Sequence, residues 1–425
     1  MSATFDDGET FTHFGGLPGM GKGGSAAILY HENVIWTATA YDTTVSGDNL
    51  DVGGGLSWSD DLGETWHNIP QPVDPNNEDS LGYKPTTTNI QNVTFDIAIH
   101  EDVIWIASFG GGLRKSEDNG ITWEVATPDG FAFAPLTHLN HRPFAVVSAG
   151  SDLWVGTAQG LNKSTDGGET WTNYHAQNSD ISGNFVTAIA KQMTTGGSMV
   201  IWAATWKAEG AEEYYAVSRT TNGGLTWNTS LEGERVHNFG FDGYNAYAVS
   251  DNGLFKSIDL GENWVNYPWI SDNAGNNVYT TEYYSAGSGR GTLWLGTGDG
   301  LIRSTDDGYT WSVMRAFRAP GVNGEPEVYA YPNPFSPARH NQLGDEGHVR
   351  FQYDLETAAQ VTLDIFDFGM NPVYNGRSVY RTSGANTEIW NGMNNWGRIV
   401  ANGVYFYRLM IDGRGELWGK IIVIN

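Results

Sequence analysis

The chain has no cysteine, few basic residues and no long apolar run. Because none of its 425 residues is Cys, it can form neither a disulfide framework nor a thiolate site. Asp and Glu number 49 against 23 Lys and Arg, and the formal net charge of −26 repels the phosphates of nucleic acids and anionic membranes. No apolar run approaches the roughly 20 residues of a transmembrane helix. We therefore expect neither a nucleic-acid partner nor membrane insertion.

The amino terminus also lacks the features of a signal peptide. Its first ten residues, MSATFDDGET, are acidic and polar, whereas a signal peptide has a basic segment followed by an apolar one. If the protein is exported, we expect that a leader has been removed.

Glycine and aromatic residues are abundant instead, and they recur in a repeated motif. The 55 Gly residues and an aromatic content of 13% favour many short strands joined by tight turns. The motif has the core Ser/Thr-x-Asp-x-Gly-x-Thr-Trp, and internal repetition of this kind indicates a repeat architecture. Its copies are TFDDGETF (4–11), GLSWSDDLGETW (55–66), GLRKSEDNGITW (112–123), GLNKSTDGGETW (160–171), AVSRTTNGGLTW (216–227), GLFKSIDLGENW (253–264) and GLIRSTDDGYTW (300–311).

The acidic position of this motif predicts a structural turn. An Asp there accepts hydrogen bonds from backbone N–H groups, the Gly permits a positive φ, and the aromatic residue anchors the next strand. One copy has Asn in place of Asp, which keeps the acceptor but not the charge and so favours a structural over a catalytic role. The predicted structural positions are Asp6, Asp60, Asp118, Asp166, Asn222, Asp259 and Asp306.

The repeated motif resembles the Asp-box, or bacterial neuraminidase repeat (BNR). Sialidases, xyloglucanases, sortilin-type receptors and photosystem assembly factors carry this repeat on β-propellers. The resemblance therefore implies an all-β propeller. It leaves the function open, because these families do unrelated things.

The strands around each motif predict how many blades there are. Each unit is consistent with strand A, strand B, strand C, the motif and strand D, and four antiparallel strands make one propeller blade. Six units are complete, whereas the motif at 4–11 has only strands C and D. We predict that residues 1–318 form a seven-bladed β-propeller with one blade incomplete in this chain. A six-bladed ring with a stray hairpin is the alternative.

The long connections are all expected at the end of the blades opposite the motif. Loops on a rigid scaffold commonly carry binding sites, and aromatic side chains there can stack on sugar rings or pack against a protein. These connections are 41–53, 70–91, 127–141, 175–183, 207–213 and 268–276. The predicted ligand-binding residues are Asp42, Trp206, Glu212, Glu213, Tyr214 and Trp269.

A second domain is predicted after a linker. Residues 319–330 are rich in Pro and Gly, and the alternating segments of 331–425 predict an antiparallel Ig-like β-sandwich. YPNPFSP (331–337), WNGMNNWGRIVANGVYFYRL (390–409) and the terminal GKIIVIN resemble the C-terminal sorting domain of type IX secretion cargo and the Ig-like domain of flagellar hook-capping proteins. The resemblance implies recognition by the secretion machinery and export across the outer membrane of a Gram-negative bacterium. A plain Ig-like accessory module is the alternative.

An enzyme is the competing interpretation of the loop-rich end. A glycoside hydrolase or lyase needs two carboxylates at a set separation, and acidic residues are plentiful there. A sialidase is disfavoured, because the propeller region is poor in Arg and lacks the Phe-Arg-Ile-Pro sequence of that family. We assign no catalytic residue. The candidate carboxylates are Asp42, Asp48, Asp51, Asp74, Glu78, Asp79, Glu209, Glu212 and Glu213.

Metal sites are weakly indicated. The segments DPNNEDS (74–80) and DNLD (48–51) could offer oxygen ligands to calcium, although neither has the spacing of an EF-hand. His138 and His141 lie three apart without an apparent third ligand, so we predict no zinc site. We assign no cofactor beyond this possibility of calcium.

The sequence thus favours a secreted or cell-surface protein that binds a polysaccharide or a protein partner through the loop-rich end of a propeller. The alternatives are an extracellular glycoside hydrolase or lyase and a structural subunit of an extracellular assembly.

Overall fold

The computed structural model describes residues 2–8, 10–14, 17–76, 82–273, 275–315, 320–321, 324, 326–343 and 346–425. The candidate carboxylates Glu78 and Asp79 lie outside the described residues. Within them the chain is all-β, with 34 strands and a single 3-10 turn at Leu139–His141.

Six four-stranded antiparallel sheets follow one another along the chain. In the four middle sheets the second strand is apolar and buried almost throughout, as in Val103–Ser108, because it lies between two neighbouring sheets. The sheets, in spatial order, are β3 (Gly24–His31), β4 (Val34–Val45), β5 (Asp48–Ser59) and β6 (His67–Ile69); β7 (Thr94–His100), β8 (Val103–Ser108), β9 (Gly112–Ser116) and β10 (Glu124–Ala126); β11 (Pro143–Ala149), β12 (Asp152–Thr157), β13 (Gly160–Ser164) and β14 (Thr172–Tyr174); β15 (Phe185–Met193), β16 (Met199–Trp206), β17 (Ala216–Thr220) and β18 (Asn228–Ser230); β19 (Val236–Asp242), β20 (Asn245–Ser250), β21 (Gly253–Ser257) and β22 (Val265–Tyr267); and β23 (Tyr283–Gly289), β24 (Thr292–Thr297), β25 (Gly300–Ser304) and β26 (Ser312–Met314).

The first strands of successive sheets contact one another. Strand β7 contacts β3 and β11, and β15 contacts β11 and β19. Apolar clusters fill the spaces between the sheets, and one such cluster joins Trp36 and Leu56 of the first sheet to Ile97 and Ile104 of the second. This serial packing of four-stranded antiparallel sheets is how the blades of a β-propeller are arranged.

Two departures from the expected strands lie at the start of the chain. Residues 41–53 were predicted to be a loop, but they extend β4 and β5 into a long hairpin in which Val45 pairs with Asp48. The two-residue turn is Ser46–Gly47, with φ of 54° and 96°, and this geometry suits the twist of a hairpin. The first motif lies between β1 (Ser2–Ala3) and β2 (Thr12–His13), which form a two-stranded sheet.

The chain divides into two compact units. The first unit is Met1–Ser250 with Phe255–Val265, and the second is Asp251–Leu254 with Asn266–Asn425. This division differs from the expected domains 1–318 and 331–425, because the sixth sheet belongs to the same unit as the C-terminal strands. An ion pair between Asp299 and Arg350 is one of the contacts that join them.

The C-terminal strands of the second unit form two antiparallel sheets around one core. The buried side chains include Phe351, Tyr353 and Trp390 of one sheet and Tyr407 and Leu409 of the other. The first of these strands begins inside the predicted linker 319–330. One sheet has the order β27 (Val328–Tyr331), β28 (Val349–Leu355) and β32 (Gly384–Trp390); the other has the order β30 (Pro372–Asn375), β29 (Ala359–Phe366), β33 (Gly403–Ile411) and β34 (Gly415–Val423), with β31 (Val379–Arg381) paired to β29.

Candidate functional site

Each repeated motif forms a turn that its own side chains tie together. In the third sheet, Ser164 Oγ donates to Asp166 Oδ1 at 2.8 Å and accepts the N–H of Gly168 at 2.8 Å. Thr170 donates its N–H to Asp166 Oδ1 at 2.9 Å and its hydroxyl to Oδ2 at 2.5 Å. Trp171 closes the turn by donating from its indole nitrogen to the carbonyl of Gly168 at 3.0 Å. The carboxylate is therefore occupied by its own turn, and we call this unit the Asp turn.

The bonds around the central residue recur in the other copies, whereas in the described part of the chain the indole bond recurs only at Trp66 and Trp123. One predicted residue needs correction. In the motif at 55–66 the carboxylate that accepts from Ser59 and Thr65 belongs to Asp61, so the assignment of Asp60 was wrong by one position. The side chain of Asn222 accepts from Thr226 N–H and donates to its hydroxyl, so an amide serves where the others have a carboxylate. The residues at the centre of the turns are Asp6, Asp61, Asp118, Asp166, Asn222, Asp259 and Asp306.

The Asp turns lie at one end of their sheets, and the long connections lie at the other. In the third sheet Leu153 pairs with Ser164 next to the Asp turn, whereas Pro143 pairs with Thr157 at the opposite end. Because the strands are antiparallel, the connection into β11 and the turn between β12 and β13 share this second end. We call it the loop-rich end.

The predicted residue Glu213 holds its own loop together. It is 5% exposed, and its carboxylate accepts the backbone N–H groups of Asn184 at 3.0 Å, Ala208 at 2.8 Å and Gly210 at 3.2 Å. The side-chain amide of Asn184 donates a further bond at 2.9 Å. A carboxylate with four internal donors is poorly placed to bind a ligand, so this geometry favours a structural role for Glu213.

The other predicted ligand-binding residues differ in exposure and in their contacts. Tyr214 is half-buried and its hydroxyl lies 3.3 Å from Thr229 Oγ1, while the neighbouring Glu212 is exposed. Asp42 is exposed on the β4–β5 hairpin, and Trp269 is 56% exposed in the second unit. Within the described residues Asp42 has no hydrogen bond to Trp206 or Tyr214.

In the two candidate calcium segments, the described aspartates do not come together as a set of oxygen ligands. Asp74 pairs with the buried Arg114 at 2.8 and 2.9 Å and also accepts from Tyr83 and Thr86, so its oxygens are committed. Burial would raise the pKa of Asp74, but Arg114 and the other donors hold the pKa below its usual value. Asp48 and Asp51 are three positions apart on one strand and therefore point to opposite faces. Asp51 instead stands opposite Asp42 across the hairpin.

The histidines at 138 and 141 have a third neighbour that the sequence did not reveal. Asp129, His138 and His141 bring their ligand atoms within 4.8 Å of one another. His141 Nδ1 accepts the N–H of Ala134 at 3.0 Å, so its Nε2 carries the proton and donates to Asp129 at 2.8 Å. Hydrogen bonds within the 127–141 connection thus account for this group.

A row of aromatic rings runs across the loop-rich end of the first unit. It consists of Phe95, Phe144, Phe185 and Trp206, and we call it the aromatic row. Ring centroids are 5.8 Å apart between Phe95 and Phe144, 4.6 Å between Phe144 and Phe185, and 6.3 Å between Phe185 and Trp206. Phe95 is 39% exposed, and the other three are half-buried. Three neighbouring sheets therefore present a continuous, partly exposed aromatic surface.

A repeated irregularity of the first strands positions part of this row. In each of the six sheets the pairing between first and second strand skips one residue near the loop-rich end, which is a β-bulge. A bulge leaves one residue outside the ladder and re-aims its side chain. Phe95 and Phe144 are such residues, and His237 packs against Trp206 at 5.5 Å from the next sheet. The skipped residues are Ala26, Phe95, Phe144, Thr187, His237 and Tyr284.

Arginines flank the aromatic row. The guanidinium of Arg235 lies 5.9 Å from the Trp206 ring and 4.8 Å from the Tyr215 ring, and it donates to the Tyr215 hydroxyl at 3.2 Å. Arg142 lies 6.0 Å from the ring of Phe109, which itself contacts Phe144 at 5.8 Å. Cations stacked on aromatic faces stay ordered and place positive charge beside the rings.

Sequence reasoning found only Trp206 of this row. The available signal was an aromatic residue at the beginning of successive first strands, as in TFDIAIH, PFAVVSA and FVTAIAKQM. The sequence analysis placed strands in these regions without identifying a surface on them, and the bulge that turns Phe95 and Phe144 outward has no local sequence marker.

Comparisons with known proteins gave solved structures but no family. No protein-family model matches the chain, and no curated protein matches it. The chain is similar to PorZ, a surface component of the type-IX secretion system of Porphyromonas gingivalis, with 16% identity, a TM-score of 0.35 and coverage of 94% of this chain. It spans 59% of the length of PorZ.

Two further structures illustrate the range of similar proteins. YCF48 from Cyanidioschyzon merolae is 16% identical with a TM-score of 0.45, covering 79% of this chain and 94% of its own. The GH74 enzyme of Niastella koreensis is 13% identical with a TM-score of 0.46, covering 95% of this chain and 73% of its own.

A search of the described residues found no helix of the length and apolar character needed to span a membrane.

Proposed function

We propose that the protein acts outside the cell or on its surface as a binding protein, and that the aromatic row recognises a polysaccharide or a protein partner. The observation that carries the proposal is the row itself, in which four rings on adjacent sheets lie partly exposed at the loop-rich end. Aromatic faces stack on sugar rings and pack against peptide side chains without needing a charge. Arg142 and Arg235 add positive charge at the sides of the row.

The proposal includes the architecture that the sequence resemblances imply. In it the chain is an Asp-box propeller of seven blades, one of them incomplete here, followed by an Ig-like sorting domain that the type IX secretion machinery recognises. Seven turns with the same hydrogen bonds support the first part. The two sheets that share a core between Val328 and Val423 support the second.

A hydrolase is the less favoured function. Of the candidate carboxylates, Asp74 and Glu213 are tied to internal partners. Asp42 and Asp51, which face each other on the exposed hairpin, are a described pair that stays open to a substrate.

A glycan array combined with a reducing-sugar assay on mixed polysaccharides tests this function. We expect retention of a glycan class without product release. We expect Phe144→Ala and Trp206→Ala each to weaken retention by about tenfold, by analogy with the stacking of nucleobases on aromatic side chains, which is worth about 1–3 kcal/mol per base. Leu225→Ala, on an Asp turn and 85% exposed, is the matched control and should leave retention unchanged.

Two results would contradict the proposal. Product release that disappears in Asp42→Asn or Asp51→Asn would replace the binding protein with a hydrolase. Equal glycan retention by the Phe144, Trp206 and Leu225 variants would show that the aromatic row is not part of the binding surface.

A further inference from the structure

The second unit contains a cleft lined by arginines. Its volume is about 580 Å³, and its lining includes Arg315, Arg350, Arg381, Gln352 and Thr382. None of the described residues that line it is acidic. In a chain whose formal charge is −26, a cleft with three cations and no carboxylate on its surface is a local reversal of charge.

Two of these arginines are fixed by one buried carboxylate. Asp299, which is 6% exposed, accepts Arg350 Nε at 2.7 Å and Arg315 Nη2 at 2.9 Å, and Arg350 Nη2 also donates to it. The backbone N–H of Tyr279 donates to the same carboxylate at 2.7 Å. Burial would raise the pKa of Asp299, but the two arginines hold the pKa below its usual value. The carboxylate therefore stays ionised and the guanidinium groups are held in place.

The cluster nevertheless carries an excess of positive charge. Arg315 and Arg350 together contribute two positive charges against the single negative charge of Asp299. Arg315 uses its Nε and Nη2 atoms and Arg350 does the same, whereas neither Nη1 has a hydrogen-bond partner within the described part of the chain. Two preorganised N–H donor groups are thus left over.

The remaining lining adds donors but little charge. Arg381 is paired with Glu388 at 2.7 and 2.9 Å, so this pair is neutral as a whole. His348, which does not itself line the cleft, contacts the ring of the lining residue Tyr279 at 4.8 Å. Burial lowers the pKa of His348, so this imidazole adds little positive charge near pH 7. The uncompensated charge therefore comes from the pair Arg315 and Arg350.

We propose that this cleft binds a small molecule carrying an oxyanion, which is a carboxylate, sulfate or phosphate group held by Arg315 and Arg350. Planar guanidinium groups match the geometry of such oxyanions, and their charge-assisted hydrogen bonds are the strong ones in proteins. Gln352 and Thr382 at the same cleft suit hydroxyl groups on the rest of the ligand. The site is separate from the aromatic row and does not depend on it.

Isothermal titration calorimetry on the full chain tests the proposal. The probes are sodium sulfate, sodium phosphate and sodium glucuronate, with glucose as the neutral analogue of glucuronate and sodium chloride to match ionic strength. We expect saturable heat with at least one oxyanion and none with glucose. Binding of sulfate or phosphate but not of glucuronate would show that the cleft takes a sulfate or phosphate group. Tightest binding of glucuronate would show that the ligand is an acidic sugar.

Two variants separate binding from folding. Arg315→Lys keeps the positive charge but removes the planar fork, and we expect at least about tenfold weaker binding. Thr382→Glu adds a carboxylate on the exposed edge of the cleft without touching the Asp299 cluster, and we expect a similar loss. Thr357→Glu, an exposed site of the same unit that does not line this cleft, is the control for added charge.

The proposal is overturned if no oxyanion gives heat beyond that of sodium chloride. It is also overturned if Arg315→Lys and Thr382→Glu bind as tightly as Thr357→Glu. In either case the arginines serve only to join β28 to the β24–β25 turn.

Discussion

At one end of the sheets in the first unit every Asp turn repeats the same few hydrogen bonds, whereas at the loop-rich end each connection is held by a different device. Asp74 and Arg114 form an ion pair in one connection. Glu213 accepts hydrogen bonds from backbone N–H groups in another, and His141 donates a hydrogen bond to Asp129 in a third. A repeated local motif uses only residues of its own blade, so the same turn can recur in every blade. A connection that differs from blade to blade needs its own long-range partners. Because each connection is stabilised independently, residues at the loop-rich end can change without disturbing the Asp turns at the other end.

The largest expected effect concerns the loop-rich end. Arg114→Leu leaves the buried carboxylate of Asp74 without its cation, and we expect a loss of about 3–5 kcal/mol in the free energy of unfolding. Denaturant unfolding of the full chain measures it. Lys115→Leu, which removes the exposed pair with Glu117, should cost less than about 1 kcal/mol. Equal costs for the two variants would show that the buried pair does not hold this end together.

The next effect concerns the Asp-turn end. Gly168 has φ of 90°, and a Cβ there would meet Trp105 at 2.4 Å, so Gly168→Ala should cost about 2–4 kcal/mol. The adjacent Gly167 also has positive φ, at 67°, but open space around it, so Gly167→Ala should cost only about 1 kcal/mol. Thermal unfolding of both variants measures the difference. A larger loss for Gly167→Ala would mean that packing on Trp105 does not constrain the turn.

A pH effect distinguishes the two ends further. Asp96 lies next to Phe95, and although its exposed area is intermediate, burial of its carboxyl raises its pKa to about 7, despite N–H donors from Val146 and Ile97. Because the pKa of Asp96 is raised from 3.8 to about 7 by folding, the stabilisation is fully present below about pH 4 and is lost progressively as pH rises to about 7. We expect the melting temperature to fall between about pH 4 and pH 7 and to level off above that, and to fall less in Asp96→Asn. Parallel pH profiles of the two proteins would contradict this.

The smallest effect is a titration at the Asp-turn end. Hydrogen bonds from the Thr170 hydroxyl and N–H lower the pKa of Asp166 to about 2. Since this pKa is below that of the unfolded chain, its contribution to stability is present above about pH 4 and is lost as pH falls through about 2. Carbon NMR of the Asp166 carboxyl should show the pKa rising in Thr170→Val. Thr172→Val, beyond the turn on β14, should leave it unchanged.

The two ends also differ in how far the sequence predicts them. The Asp turns follow from residue spacing alone, and even the error at Asp60 was avoidable, because only Asp61 is two residues from both Ser59 and Gly63. The long hairpin at 41–53 was also visible in principle, since Ser46–Gly47 is a suitable two-residue turn between alternating strands.

The contacts of the loop-rich end were not predictable in this way. Asp74 and Arg114 are 40 residues apart, and Glu213 is 29 residues from Asn184. No local pattern connects such pairs, because they are distant in the sequence and meet only in the folded structure. The same holds for Asp299 and Arg350, whose contact joins the sixth sheet to the C-terminal strands.

The bulge in each first strand has a consequence for how this surface can change over time. A residue that stands outside the ladder can be exchanged without altering the pairing of its neighbours, and the six sheets already hold Ala, Phe, Phe, Thr, His and Tyr there. The residue at each bulge position can therefore vary independently of the others while the strand pairing of the sheets stays constant. Natural or laboratory selection can therefore change which partners the protein contacts through single substitutions at these positions, without changes in loop length or structure.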